Sequence, residues 1–335
     1  MRILVTGGLG FIGRVVADRL QQVGHAVTVL SRQQPKQPGP SGLTVVQGDI
    51  RDRDRIAEIV VGGGFDGVCH LAGRTQGRES FADPVGYYDT NLGGTINLLR
   101  ALEQATARSG KPGRLVFAST VMVYGPADGH PIDETHPLRP MSPYGASKLA
   151  AEQLLGSQAA TGRLGATSLR VFAAAGAVGS HHDTDRARII PKALAVARGD
   201  VPFVQVNGDG SAVREFTHVA DVAEAYRLAL QATKPGEHAV YNVGTGNGVT
   251  VRDLLATVEE VTGRPVPVTT RPGQREPAAV IADTRRIKND LGWEPGHSTI
   301  DQIIRDAWVA LESCATDRGL ALGPVAHRRS SPSAR

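Results

Sequence analysis

Thr6-Gly7-Gly8-Leu9-Gly10-Phe11-Ile12-Gly13 follows an apolar run at the start of the chain. Glycines at 7, 10 and 13 allow a tight turn, close approach of backbone amides to a pyrophosphate, and close packing of helix on strand. The helix that opens there offers its positive dipole end. Between a first strand and a first helix, the pattern reads as a dinucleotide site. In the usual NAD pattern an acidic residue ends the second strand, ~20 residues on, and binds the adenosine ribose. Here Val27-Thr28-Val29-Leu30 runs into Ser31-Arg32. Arg32 either meets a ribose 2′-phosphate, as NADP would require, or is solvated. Gly48-Asp49-Ile50 follows the third apolar run, where Asp49 can accept the adenine amino proton or cap a helix.

Tyr144 and Lys148 stand four residues apart in Ser142-Pro143-Tyr144-Gly145-Ala146-Ser147-Lys148, which puts both on one face of a helix beginning there. A free tyrosine has a pKa near ~10, so a base at neutral pH needs positive charge beside it. Lys148 with an oxidised nicotinamide would supply that charge. Upstream, Val116-Phe117-Ala118-Ser119-Thr120 ends an apolar run in two hydroxyls. At the carboxyl edge of a sheet these can hold a substrate oxygen or merely tie the turn.

These groups need a scaffold, and the hydrophobic pattern indicates one. Strands are expected at Ile3 to Thr6, Ala26 to Leu30, Leu43 to Val46, Gly67 to Leu71, Arg114 to Ala118 and Thr167 to Phe172. Helical patterns fill the intervals at Phe11 to Val23, Ile56 to Val61, Thr95 to Arg108 and Pro143 to Ala159. Nearly continuous apolar strands alternating with helices imply a doubly wound parallel α/β sheet covered on both faces. After residue 173 the rhythm loosens, with Gly/Pro punctuation at Asn207 to Gly210, Gly244 to Gly248 and Pro272-Gly273, and a smaller second lobe follows.

Of 335 residues 40 are glycine and 4% are aromatic, and the formal charge is +4. Residues 323 to 335 carry Arg328, Arg329 and Arg335 and no acid, so three of the four surplus charges sit in an end with almost nothing apolar to bury. That end is expected to be disordered, and the basic balance makes no case for nucleic acid. Cys69 and Cys314 lie far apart without metal-ligand spacing, so no metal site is expected. The N-terminus leaves no room for a signal-peptide apolar region, and no apolar run approaches the ~18 residues of a membrane span. The chain reads as soluble and cytoplasmic.

The motifs together resemble the extended short-chain dehydrogenase/reductases, NAD-dependent epimerase/dehydratase type, and within them the nucleotide-sugar 4-epimerases of the UDP-glucose/UDP-galactose kind. Besides the stretches above, the resemblance rests on His70-Leu71-Ala72-Gly73, Tyr87-Tyr88-Asp89-Thr90-Asn91, Leu169-Arg170-Val171-Phe172, Gly208 to His218, Tyr241 to Gly246, Arg271-Pro272-Gly273 and Leu291-Gly292-Trp293. It implies a Rossmann domain over 1–172 with a returning segment at about 212–246, and a nucleotide-sugar lobe over about 173–211 and 247–315. It implies further that Tyr144 takes the proton of the sugar 4-hydroxyl, that Thr120 holds the same oxygen, and that Lys148 orients the cofactor ribose. The 4-keto sugar would then turn over and take its hydride back on the other face. Phe11, Ile12, Ile50, Leu71, Ala72 and Gly73 would complete the cofactor contacts, with Asn91 ordering the site and Phe172 near the nicotinamide.

Related dehydratases place Asp-Glu after the catalytic threonine, because elimination needs an acid and a base. This chain has Val121 and Met122 there, so dehydration is disfavoured. Arg214 and Arg271 fall on family positions that pair with the substrate diphosphate. Ala173 and Arg188 replace two family amides near the substrate. The expected partners are a small nucleotide sugar and a second copy of the chain, with an NADP(H)-dependent ketoreductase as the alternative activity.

Overall fold

The computed structural model describes residues 1–33, 43–126, 131–272 and 277–320. The basic end at 323–335 and Gly273 lie outside the described residues.

Each expected apolar run is a strand: β1 (Arg2–Thr6), β2 (Ala26–Ser31), β3 (Thr44–Gln47), β4 (Gly67–His70), β5 (Gly113–Thr120) and β6 (Leu164–Val171). With His238–Val243 they form one seven-stranded sheet in the order His238–Val243, β6, β5, β4, β1, β2, β3, every neighbouring pair parallel. β4 and β6 are buried at every position, as strands covered on both faces must be. Between them run α1 (Phe11–Gln22), α2 (Arg53–Gly63), α3 (Pro84–Tyr88), α4 (Gly94–Ser109) and α5 (Pro143–Ala159), followed later by α6 (Ile189–Arg198) and α7 (Val219–Ala232). The strand period of two sorts neighbours to opposite faces. Ile3 and Val5 pack with Leu20, Val222 and Tyr226 of α1 and α7, while Leu4 between them packs with Ile56, Leu98 and Leu155 of α2, α4 and α5.

The sixth strand begins at Leu164, three residues before its expected start. Leu164-Gly165-Ala166 is poor in β-branched residues, so propensity gives it little weight. Gly165 is held there by packing: a Cβ on it would lie 2.4 Å from the Lys234 carbonyl oxygen.

Strand order decides where a ligand can enter. The chain runs outward from β1 to β3 and then returns to β4 on the other side of β1, so the loops after β1 and β4 part and leave a crevice at their carboxyl ends. A buried chain of hydrogen bonds fastens those two ends. Thr95 Oγ1 donates to the Asn91 carbonyl, 2.6 Å, and so accepts from His70 Nε2, 3.1 Å. His70 Nδ1 accepts from Thr6 Oγ1, 2.7 Å, which in turn accepts the Ala72 amide, 3.1 Å. Burial and the Lys148 charge hold the His70 pKa down at about 3, so the imidazole stays neutral and keeps these roles.

The smaller C-terminal lobe has its own core, in which Leu194 of α6 and Val204 meet Leu254, Ile303 and Trp308. Its strands are short: Val204–Asn207 runs parallel to Val268–Arg271, and Val213–Glu215 lies between Gly248–Thr250 and Ala279–Val280.

Candidate active site

At the carboxyl ends of β1, β2, β4 and β5 lies a cavity of about 1290 Å³. Gly7, Gly10, Phe11, Ile12, Gly13, Arg32, Asp49, Ile50, Leu71, Ala72, Gly73, Thr120, Tyr144, Lys148, Phe172 and Arg188 all line it. Residues from eight separate stretches of sequence therefore share one wall system. At its floor the backbone comes very close. Gly7 has φ 69°, and a Cβ on it would lie 2.7 Å from the Ala72 nitrogen; one on Gly13 would lie 2.2 Å from the Gly7 carbonyl oxygen. α1 starts behind Gly10 with no side-chain cap and no acid in its first turn. Its leading amides thus face the cavity without an internal acceptor, which suits an anion.

α5 is started by Ser142, whose hydroxyl accepts the Gly145 amide at 3.1 Å, with Pro143 at the first helical position. This entry presents Tyr144 and Lys148 to the cavity one turn apart. Tyr144 lies beside the Thr120 hydroxyl and meets Tyr87 edge to face, ring centres 6.3 Å apart. Burial pushes the Tyr144 pKa up, while the Thr120 hydroxyl and then the Arg188 charge pull it down. Lys148, one turn on, stands over the Phe117 ring at 4.7 Å, and burial lowers its own pKa to about 8 against the opposing charge of Glu152. Arg188 lines the same cavity.

The two hydroxyls ending β5 separate cleanly. Thr120 Oγ1 accepts the Met122 amide at 3.2 Å and faces Tyr144. Ser119 Oγ donates to Glu152 Oε1. Glu152 and Arg170, each 3% exposed, are paired at 2.6 Å, and Arg170 also donates to the Tyr124 hydroxyl at 2.9 Å. Tyr124 in turn donates to Asn242 Oδ1 at 2.7 Å. Sequence reading passed over Glu152, although its i+4 spacing from Lys148 was available as a signal.

Other expected residues lie farther off. Asn91, 1% exposed, stands behind the wall; its amide accepts the Arg74 N–H at 2.8 Å and donates to Ser147 Oγ at 3.0 Å, so it braces α5. A second cavity of about 820 Å³ in the lobe shares Val121, Phe172, Ala173, Ala174 and Arg188 with the first, and is lined also by Arg214 and Glu215. Arg188 is steered there by Asp183 at 3.0 Å and Asp185 at 3.5 Å. Arg271 is brought to neither cavity: it lies on the lobe's strand pair, bonded to Asn207 and to Gln205.

The arrangement offers a nucleotide-shaped floor, a tyrosine with a hydroxyl partner, and a second chamber opening beyond them. Residues 3–244 match the model of the NAD dependent epimerase/dehydratase family. A UDP-glucose 4-epimerase of Streptomyces lividans is 40% identical, the match covering 92% of this chain and 95% of that protein. One from Corynebacterium glutamicum is 36% identical over 96% and 98%. The solved UDP-glucose-4-epimerase of Stenotrophomonas maltophila, with bound NAD and formylated UDP-arabinopyranose, superposes with a TM-score of 0.86 at 36% identity, covering 95% of this chain and 99% of that one.

Proposed function

The chain belongs to the NAD dependent epimerase/dehydratase family, and on that premise we propose that it is a nucleotide-sugar 4-epimerase of the UDP-glucose/UDP-galactose type. One observation carries the reading. Tyr144 and Thr120 stand beside one another on the wall of the cleft, and next to them Val121 and Met122 give no side chain able to transfer a proton to a neighbouring carbon.

The Gly7 to Gly13 turn fits NAD, since it leaves room that any Cβ would fill and aims uncapped amides at a diphosphate. NAD, when bound, supplies a reversible hydride acceptor. Tyr144 takes the proton of the sugar 4-hydroxyl and gives it back, Thr120 holds that oxygen, and Lys148 holds the cofactor ribose. Arg188 and Arg214 meet the substrate diphosphate from the lobe. Because the proton and hydride both return to the sugar, the enzyme needs no cofactor turnover.

The homodimer reading is supported by the apolar Phe81 and Val85, 63% and 80% exposed, just before and within α3, the helix that packs against α5. Nucleotide sugars and NAD are cytoplasmic metabolites, which supports the same place for this chain. No described helix is long and apolar enough to cross a membrane.

Purified protein given UDP-galactose is expected to produce UDP-glucose, and the reverse, with no net change in nicotinamide absorbance. Stoichiometric NADPH consumption on a keto sugar, without interconversion, would replace this reading with a ketoreductase. A second expected result concerns the turn. Gly13→Ala must push Gly7 aside, and NAD affinity measured by calorimetry is expected to fall roughly tenfold or more, about 1.4 kcal/mol.

A further inference from the structure

Arg74 and Thr75, a few residues after β4, line the cavity that holds Tyr144, and so does Arg188 from the segment that leads into α6. Gln76 joins these two walls. Its amide Nε2 donates to Asp185 Oδ2, 109 residues on in sequence. Both ends of this bridge are fixed. The Gln76 carbonyl accepts the Tyr87 hydroxyl at 2.8 Å and the Ser80 amide at 3.1 Å, and Tyr87 is the ring that meets Tyr144 edge to face. Across the cleft, Asp185 Oδ1 accepts the Ala187 amide at 3.0 Å, and the Asp185 carbonyl accepts the Arg188 amide at 3.0 Å. The bridge therefore runs from the ring beside Tyr144 to the backbone that carries Arg188.

The charges around Arg188 show what such a bridge can do. Asp183 meets its Nη1 at 3.0 Å, while Asp185 stands 3.5 Å from its Nε. Two carboxylates closed on one guanidinium would leave a net negative patch, and a diphosphate would be repelled there. The Gln76 amide occupies Asp185 Oδ2 and anchors that carboxylate to the opposite wall, so it is kept from closing on Arg188. The Arg188 side chain stays 39% exposed and lines both the main cavity and the lobe cavity. We infer that Gln76 is a positioning residue for the substrate diphosphate: it holds Asp185 off Arg188 and so keeps that guanidinium open to the ligand. The inference rests on the reading of Arg188 as a diphosphate contact of a nucleotide sugar.

The test uses the full chain with UDP as the probe, its affinity read by calorimetry. Gln76→Ala is expected to weaken UDP about three- to tenfold, the scale of one net hydrogen bond. KM for UDP-galactose is expected to rise by a similar factor, with kcat within about twofold. Arg188→Ala is expected to weaken UDP about 10- to 100-fold, the scale of a charge-assisted contact. In that background Gln76→Ala is expected to change UDP affinity by less than about twofold, since the one residue acts through the other. NADH affinity, read by nicotinamide fluorescence, is expected to stay within about twofold in every variant. UDP affinity unmoved by Gln76→Ala would overturn the inference, as would effects of the two substitutions that simply multiply. A parallel loss of NADH would overturn it too, because it would mark a general loosening of the fold. The expected coupling on UDP without interconversion of UDP-galactose would support the bridge while removing the epimerase reading. Failure of the unaltered chain to bind UDP would overturn both.

Discussion

Tyr144→Phe is expected to lower kcat for UDP-galactose conversion by about 10²- to 10⁴-fold, the usual contribution of a positioned acid–base group, with dinucleotide affinity within about a factor of two (~0.4 kcal/mol). The split follows from where the hydroxyl sits. Tyr144 is only 7% exposed, and its ring packs edge to face with Tyr87. Phenylalanine keeps that ring and leaves no cavity worth counting. Ser142 and Pro143 still start α5, so Lys148 stays in place. What disappears is the phenolic oxygen beside Thr120, the group placed to exchange a proton with a sugar hydroxyl. Steady-state kinetics together with dinucleotide titration check both halves. Full activity in the variant would sink the mechanism.

Arg170→Met is expected to cost about 3–5 kcal/mol of stability, because it strands a buried carboxylate. Domains are stable by only ~5–15 kcal/mol, so the loss should be plain in urea midpoints. Arg170 Nη2 meets Glu152 at 2.6 Å with both side chains 4% exposed, and the remaining Ser119 contact cannot neutralise the charge. In the variant Glu152 stays buried with the Ser119 hydroxyl but without its guanidinium partner. Glu152→Gln added to Arg170→Met is expected to recover most of the loss. No recovery in the double variant would show that the pair does not carry this stability.

These two sites were not equally legible. Tyr144 and Lys148 are four apart on one helix, and a local spacing is enough to put them on one face. The Gly7 to Gly13 turn was similarly local, since backbone room depends on glycine itself. Ser119 and Thr120 were a different problem. Adjacent residues on a strand point to opposite faces, so one hydroxyl faces Tyr144 and the other faces Glu152, 33 residues away in sequence. Arg170 and Tyr124 are 46 residues apart, and no periodicity connects them.

The amino-acid sequence by itself determined the strand and helix alternation, the phosphate turn, and the tyrosine–lysine face, because each depends on residues within a turn or two of one another. Only the tertiary structure decided which hydroxyl lies beside Tyr144, that Ser119 turns to the buried Glu152–Arg170 pair instead, and that Arg214 lines the cavity of the lobe while Arg271 lies on its strand pair. Each of those outcomes turns on the direction of a side chain in one strand register and on which distant group fills the space opposite. Burial and pairing are properties of that space, so they arise only once the sheet has closed.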